Sequence, residues 1–238
     1  MENLYYDLMP SSSQWKVGFI IDYKNEKLKA FFQSLSERRI AEIDEPLSMI
    51  TYNIIEEENK REDKSPFVYD ALYWSNDIRI GSSTLHGITS FIMSDRLKKI
   101  IENFELPEHR FYDVDITNIY SKESRRWYLL YMPENSLDYF DWIRCEFKLK
   151  PEFRFRNQID TSYVGPNVVN SRDEFIKLRS KYRKNKIKKF LEFYKIKFKV
   201  KFDIMWGNVN ILTVSDKLRK EILSNDINIT MEPNSEIR

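Results

Sequence analysis

The sequence predicts an α+β fold in which helices pack on a mostly antiparallel sheet. Two apolar runs each lead into a short capped helix, and several segments alternate apolar and polar residues with the period of a half-buried strand. Strands and helices also follow one another without the βαβ order of a parallel sheet. We expect a single domain over residues 1–238, with an N-terminal part of about 1–90 and a C-terminal part of about 91–238.

The two capped helices share a signature, in which Ser-Asp-basic-Leu follows an apolar run. It occurs in FIMSDRLKKII, Phe91–Ile101, and again in ILTVSDKLRKEI, Ile211–Ile222. The Ser or Asp side chain can accept hydrogen bonds from the free N–H groups of the first turn, and the Asp charge favours the positive end of the helix. A strand is predicted after each helix, so that a strand-helix-strand unit occurs twice. An internal duplication and two independent capped helices both explain the repetition.

Other segments have a clear periodicity. A strand around Tyr112 is predicted to pair with Arg125–Met132 across the turn Tyr120–Ser124. Alternation over Ile143–Lys150 and over Lys195–Ile204 predicts two further half-buried strands. Two helical stripes are predicted, one formed by Phe175, Leu178 and Tyr182 and the other by Ile187, Phe190, Leu191 and Tyr194.

The charge is unevenly distributed along the chain. The net charge is +2, but the segment Lys177–Lys201 holds 12 Lys or Arg residues and a single acid, Glu192. This basic segment can bind the phosphates of a nucleic acid, or it can be a solvated lysine face. The lysines that would make the phosphate contacts include Lys181, Lys184, Lys186 and Lys188.

The sequence contains no recognisable catalytic motif. Cys145 is the one cysteine and lies on the apolar phase of a predicted strand, so we expect a buried, inert thiol. His86 and His109 stand far apart in the sequence and do not form a metal-binding pattern. Phosphate loops, dinucleotide fingerprints and nucleophile elbows are absent. The sequence therefore predicts a protein that is not an enzyme and that holds no metal and no cofactor.

Two carboxylate pairs are the remaining candidates for catalysis. Asp113 with Asp115, and Asp138 with Asp141, are interpreted as surface or capping residues.

The sequence has neither a secretory signal nor the roughly 18-residue apolar stretch of a membrane span. We therefore expect a cytoplasmic protein without a membrane partner.

Two longer segments carry a resemblance to a known family. The stretch SFIMSDRLKKIIENFELPEHRFYDVDI and the later WYLLYMPENSLDYFDWIRCEFKL are similar to an immunity-protein family of bacterial polymorphic toxin systems, of the type first described in myxobacteria. The family order is an apolar strand, a Ser-acid-basic-Leu helix, a strand, a YYLL-like strand and a D-W segment, with a second Ser-acid-basic-Leu segment near the end. The resemblance covers roughly Pro66–Leu149 and Asn210–Met231. It implies a cytoplasmic protein that neutralises a cognate toxin by steric blockade, and it carries over no catalytic residue.

Two surfaces are candidates for docking the toxin. The first is an acidic loop at Glu56, Glu57 and Glu58, with Tyr73 and Trp74 nearby in the sequence. Toxins that degrade nucleic acids are usually basic near their substrate, which favours this loop. The second is the lysine face at Lys181, Lys184, Lys186 and Lys188, which would suit an acidic partner. The alternative function is a nucleic-acid-binding accessory protein that uses the basic segment 177–201.

Overall fold

The fold belongs to the predicted α+β class. A computed structural model describes residues 5–9, 17–21, 30, 31, 33–35, 37, 39–43, 45–53, 67, 70–73, 78–80, 83–85, 91–133, 136–151, 162–184, 189–206, 212–234 and 237. The strands are β1 (Tyr5–Met9), β2 (Val17–Ile21), β3 (Leu47–Asn53), β4 (Ala71–Tyr73), β5 (Ile78–Ile80), β6 (Ser83–Leu85), β7 (Phe91–Met93), β8 (Arg110–Asn118), β9 (Ser124–Tyr131), β10 (Glu146–Pro151), β11 (Ser162–Gly165), β12 (Lys189–Lys195), β13 (Ile204–Trp206), β14 (Leu212–Ser215) and β15 (Thr230–Pro233). The helices are α1 (Asp95–Ile101), α2 (Arg172–Lys184) and α3 (Asp216–Ser224), with a 3₁₀ turn at Ser136–Tyr139 and helical backbone at 30, 31 and 33–35.

The strands form three sheets, with orders β4-β7-β9-β8-β3-β2-β5-β6, β13-β14-β1-β15 and β11-β10-β12. Among the described pairings of the eight-stranded sheet, β3 with β8 and β2 with β5 are parallel and the other five are antiparallel. The chain divides into two compact units that interleave along the sequence. The larger unit comprises Tyr6–Glu134 and Phe202–Glu232, and the smaller unit comprises Met1–Tyr5, Asn135–Lys201 and Pro233–Arg238. This division differs from the predicted parts 1–90 and 91–238, and a single domain stays a prediction.

The predicted hairpin in the larger unit is confirmed. Tyr112 of β8 lies opposite Leu129 of β9 in an antiparallel register, and the turn between the strands runs through Lys122, whose φ is 61°. From Tyr112 to Asn118, every second residue of β8 is buried, as the strand period requires. The buried Tyr112 hydroxyl donates to the Ala41 carbonyl oxygen at 3.0 Å, and its ring meets Phe31 edge to face at 4.8 Å. This contact ties the segment around residue 41 to the sheet.

A second core in the larger unit lies under α1 and α3. Leu97 and Ile101 of α1, and Leu218 and Ile222 of α3, are all fully buried in it. The strand residues that complete this core include Phe91, Met93, Leu130, Leu212 and Val214. Because burying one Leu side chain contributes about 1.5–3 kcal/mol, these stripes are a main source of stability. The predicted helices and the buried positions Leu97, Ile101, Leu218 and Ile222 are confirmed, whereas Leu223, which the apolar spacing also predicts to be buried, is 48% exposed.

Both helices begin at the predicted serine, and the two starts are built alike. Ser94 Oγ accepts the Leu97 N–H at 3.3 Å, and Ser215 Oγ accepts the Leu218 N–H at 3.2 Å. Each serine hydroxyl also donates to an aspartate that lies at the start of a neighbouring strand. The Ser94 hydroxyl donates to Asp70 Oδ1 at 2.6 Å, and the Ser215 hydroxyl donates to Asp203 Oδ1 at 2.6 Å.

Each aspartate also accepts a backbone N–H from the segment that follows the other helix. Asp70 Oδ2 accepts the Asn228 N–H, which follows α3, at 2.9 Å. Asp203 Oδ2 accepts the Glu105 N–H, which follows α1, at 3.2 Å. Each aspartate therefore links the beginning of one helix to the segment that leaves the other.

The strand order extends this equivalence to the sheets. The order β4-β7-β9-β8 corresponds to β13-β14-β1-β15, with α1 after β7 and α3 after β14. Lys98 Nζ lies 4.6 Å from the Tyr128 ring of β9, and the Arg219 guanidinium lies 4.4 Å from the Tyr6 ring of β1. The N-terminal strand β1 thus takes the place that β9 has in the first copy. This arrangement favours a duplication, in which the second copy is circularly permuted.

The smaller unit packs α2 on one face of the sheet β11-β10-β12. Its core is aromatic, since Phe175 of α2 contacts Phe147 and Phe193 of the sheet at ring distances of 5.9 and 4.9 Å. Trp142 and Phe140 complete the cluster. The helix predicted from Phe175, Leu178 and Tyr182 is confirmed as α2.

Three sequence predictions for this region are wrong. The helix predicted from the stripe that ends at Tyr194 is the strand β12, because Leu191 and Phe193 are buried while Tyr194 is exposed, which is a period of two. The strand predicted over Lys195–Ile204 is reduced to isolated bridges up to Phe198, and Val200 is exposed. The strand predicted to start at Ile143 starts at Glu146, since 142–144 form a turn. Within the described residues, no helix has both the length and the apolar character needed to cross a membrane.

Candidate protein-docking surface

The predicted acidic docking loop lies outside the described residues. Glu56, Glu57, Glu58 and Trp74 all belong to the part of the chain that is not described. Tyr73 is the last residue of β4, where its backbone pairs with Phe91, and its side chain lies outside the description. The loop stays a prediction.

The predicted lysine face is described only in part. Lys181 is exposed in the last turns of α2, and Lys184 is the final residue of that helix. Lys186 and Lys188 lie outside the described residues. In the part of the basic segment that the structure describes, the lysines are divided between α2, the strand β12 and the residues that follow β12.

The outer face of the sheet β11-β10-β12 presents a group of polar and aromatic side chains. Lys148 of β10 lies opposite Tyr163 of β11 on one side and Glu192 of β12 on the other. Residues that are opposite in an antiparallel pair point to the same face, so these three side chains share the face away from Phe147. Irregularities at Glu146/Phe147 and at Phe147/Lys148 interrupt both pairings of β10. Such bulges change the direction of nearby side chains.

Two tyrosines meet on this outer face. The rings of Tyr163 and Tyr194 are 5.3 Å apart with an interplanar angle of 72°, an edge-to-face arrangement. They are 57% and 51% exposed, which is high for aromatic residues in strands. The Tyr163 hydroxyl donates to Glu146 Oε2 at 2.8 Å, and this hydrogen bond raises the pKa of Tyr163. The phenol therefore keeps its proton and its role as a donor.

Charges of both signs surround the tyrosine pair. Lys195 Nζ lies 3.8 Å from Glu146, and Lys150 Nζ lies 3.8 Å from Glu192. At this exposure each ion pair contributes about 0–1 kcal/mol, so the pairs influence partner choice more than stability. We call the surface formed by Glu146, Lys148, Tyr163, Glu192 and Tyr194 the tyrosine face.

The opposite side of the same sheet is rigidly packed. Phe147 and Phe193 contact each other at 5.2 Å, and Leu191 and Phe193 are almost completely buried. Because Leu191 and Phe193, the two neighbours of Glu192 along β12, are buried in this core and Phe193 also precedes Tyr194, the packing beneath the sheet holds the tyrosine face in place.

The titratable groups that the sequence singled out are engaged in ordinary contacts. Asp113 and Asp115 both bind the guanidinium of Arg126 at 2.6 Å on the exposed surface of β8 and β9. Cys145 is fully buried, and burial raises the pKa of its thiol to about 11. Among the described residues, no three His, Cys, Asp or Glu side chains come together as a metal site.

Sequence reasoning did not find the tyrosine face. The helical spacing of Ile187, Phe190, Leu191 and Tyr194 predicts a buried Tyr194, although FLEFYK also has the pattern of a strand with Leu191 and Phe193 on one side. Tyr163 lies in a four-residue strand that no periodicity marks. The segment 189–195 therefore contained a signal for an outward Tyr194, while Tyr163 required knowledge of the pairing of β10 with β11.

Comparisons with protein-family models, with curated proteins and with solved structures found no match to this chain.

Proposed function

We propose that this chain is a cytoplasmic immunity protein, which binds a cognate bacterial toxin and blocks the active site of that toxin. The observation that carries the proposal is the doubled Ser-Asp-basic-Leu signature, together with the family-like order of the segments between 90 and 149. The two signature segments adopt matching structures around Ser94 and Ser215. This supports the idea that they form a framework, as the family resemblance implies, while the inhibitory surface lies elsewhere.

Such a protein acts by steric blockade: it covers the active site of the toxin. A typical stable interface buries about 1,600 Å² in total, and a few aromatic and Arg residues supply most of its energy. The inhibitor needs no reactive group, because a bound protein excludes the substrate of the toxin. Complementary charge would accelerate association and select the partner.

Co-expression tests the proposal. The C-terminal domain of the toxin encoded beside this chain is expressed in a bacterial host with and without this protein, and survival is scored together with recovery of a stable complex. We expect survival only in the presence of this protein, at a stoichiometric level. If cells die equally with and without it, and the two purified proteins elute separately, the proposal is wrong.

Nucleic-acid binding is the second candidate function. The observation that favours it is the exposed Tyr194 within the basic segment 177–201, since aromatic rings beside lysines can stack bases while the lysines contact phosphates. Binding of this kind weakens steeply with salt, because counterions are released from the phosphates. A fluorescent single-stranded oligonucleotide, titrated at several salt concentrations, tests it. Submicromolar binding at physiological salt would favour this candidate.

A further inference from the structure

We propose that the tyrosine face is the surface that docks the toxin domain. This inference rests on the proposed function and adds the site at which that function is carried out. It replaces neither the acidic loop at Glu56–Glu58 nor the lysine face as a prediction, but it competes with both.

The first reason is the nature of the anchors. Tyr163 and Tyr194 expose more than half of their surfaces on a sheet, and each ring holds the other at 5.3 Å. Tyrosine offers a large apolar area and a polar end with few rotatable bonds, so fixing it on binding costs little conformational entropy. Residues of this type are enriched among the few that dominate interface energies.

The second reason is that the face is already ordered. Phe147 and Phe193 pack on the other side of the sheet, and Glu146 fixes the Tyr163 hydroxyl at 2.8 Å. A surface that is ordered before association avoids much of the entropy cost of binding. The irregularities beside Glu146 and Phe147 lie where the two tyrosines meet, which is the place where β10 departs from a regular ladder.

The charges indicate that the occupant is a protein. Glu146 and Glu192 both belong to the face, and each lies 3.8 Å from a lysine beside it, Lys195 and Lys150 respectively. A polyanion such as RNA would place phosphates beside these carboxylates, which opposes binding. A protein surface that carries both signs can match the alternating pattern of Lys148, Glu146 and Glu192.

The size of the face shows which part of an interface it supplies. Six residues of β10 span about 20 Å, and three strands span about 10 Å, so the face covers roughly 200 Å². A standard interface needs about 800 Å² on each partner. The tyrosine face is therefore the central anchor, and surrounding residues must supply the rim.

The test measures the dissociation constant for the purified toxin domain encoded beside this chain. The variants are Tyr163→Ala, Tyr194→Ala and, as matched control, Tyr120→Ala, because Tyr120 is 51% exposed in the β8–β9 turn of the larger unit. We expect each of the first two to raise Kd about 30-fold or more, as for a central anchor. Tyr120→Ala should bind like the wild type. Tyr194→Phe, which keeps the ring, should also bind close to the wild type.

The outcomes separate a wrong docking site from a wrong proposed function. Thermal unfolding like that of the wild type establishes that a weakened variant is folded, and a variant that unfolds early is replaced by Lys148→Glu, which changes the charge of the same face. Wild-type affinity in Tyr163→Ala and Tyr194→Ala would overturn the tyrosine face but leave the immunity function standing. Loss of affinity only when Glu56–Glu58 are reversed to Lys would also overturn it. A wild-type protein that neither binds nor protects would overturn both inferences.

Discussion

Asp70 and Asp203 hold equivalent positions in the two copies of the larger unit. Each accepts a serine hydroxyl at 2.6 Å, from Ser94 in one copy and from Ser215 in the other. Each also accepts a backbone N–H from the segment behind the opposite helix. Because both carboxylates bind both copies, the beginning of α1 and the end of α3 are linked, and so are the beginning of α3 and the end of α1. The two copies should therefore unfold together.

The first prediction concerns the interaction energy between Ser94 and Asp70, measured as a contribution to the free energy of unfolding. Ser94→Ala should lower the free energy of unfolding by about 0.5–2 kcal/mol through loss of the cap. Asp70→Ala should cost about 1–3 kcal/mol, because the Asn228 N–H loses its partner. A double-mutant cycle for this pair should show a coupling of about 0.5–3 kcal/mol, measured by urea denaturation.

The crossed pair is the matched control for this cycle. For Ser94→Ala with Asp203→Ala, the described residues show no direct hydrogen bond between the two side chains, so the effects should add within about 0.3–0.5 kcal/mol. Equal coupling in the direct and crossed pairs would contradict the specific role assigned to the hydroxyl-carboxylate bonds.

The second prediction concerns the buried stripes of the two helices. Leu97→Ala and Leu218→Ala remove side chains that are fully buried in one core, and each should cost about 2–5 kcal/mol. Leu223→Ala on α3 is the control, since Leu223 is 48% exposed and its loss should have little effect. Thermal unfolding measures all three. A Leu97→Ala or Leu218→Ala protein that melts like the wild type would show that the stripe is not part of the core.

The local features of the larger unit were predictable because they depend on neighbours in sequence. A capping serine directly precedes its helix and accepts the N–H three residues further on, so the pattern around Ser94 and Ser215 identified both starts. The alternation in β8 and the turn before Ser124 likewise defined the central hairpin. The residues that interact in these features are close together in the sequence, so a local pattern reveals them.

The long-range features were not predictable from the same patterns. Asp70 and Asp203 precede short strands that give no periodicity, and their roles depend on Asn228 and Glu105, which are remote in sequence. The lysine-rich stretch before Tyr194 satisfies a helical and a strand period equally well, and the pairing with β10 decides in favour of the strand. The tyrosine face depends on this pairing and was missed for the same reason.

The third prediction concerns the thiol of Cys145. Burial raises its pKa from 9.0 to about 11, and Sγ lies 3.6 Å from the Lys197 carbonyl oxygen. Since the thiolate is the reactive form, alkylation of the native protein at pH 8 should be very slow, and urea should make it fast. The folded state holds this proton more tightly than the unfolded state, so the associated stability is complete below about pH 9 and is lost as the pH rises towards 11.

Labelling with iodoacetamide, followed by intact mass, measures the Cys145 reaction. Cys145→Ala should keep binding of the toxin domain, because the thiol lies in the core of the smaller unit. Fast labelling of folded protein at pH 8, or loss of binding in a folded Cys145→Ala variant, would indicate a functional thiol instead.

The last prediction tests the permuted copy directly. In the first copy β8 leads into β9 through a turn, whereas in the second copy the neighbour of β15 is β1, from the other end of the sequence. The Asn234 N–H donates to the Tyr5 carbonyl oxygen at 2.9 Å, so the end of β15 meets the start of β1. A linker that runs from the segment after Ile237 to residue 5 should therefore close a second hairpin, equivalent to β8–β9, and keep the buried Ile237 beside Ile196. New termini placed in the turn at Lys122 should give a folded protein, because Tyr120, Ser121 and Lys122 are exposed. Circular dichroism and urea denaturation should show the wild-type fold, with binding of the toxin domain retained.

A second permutant, opened between Ser215 and Asp216, is the control. This opening separates the capping serine from α3, so the protein should be strongly destabilised. If the permutant opened at Lys122 fails to fold while the one opened at Ser215 folds, β1 is not the missing strand of the second copy.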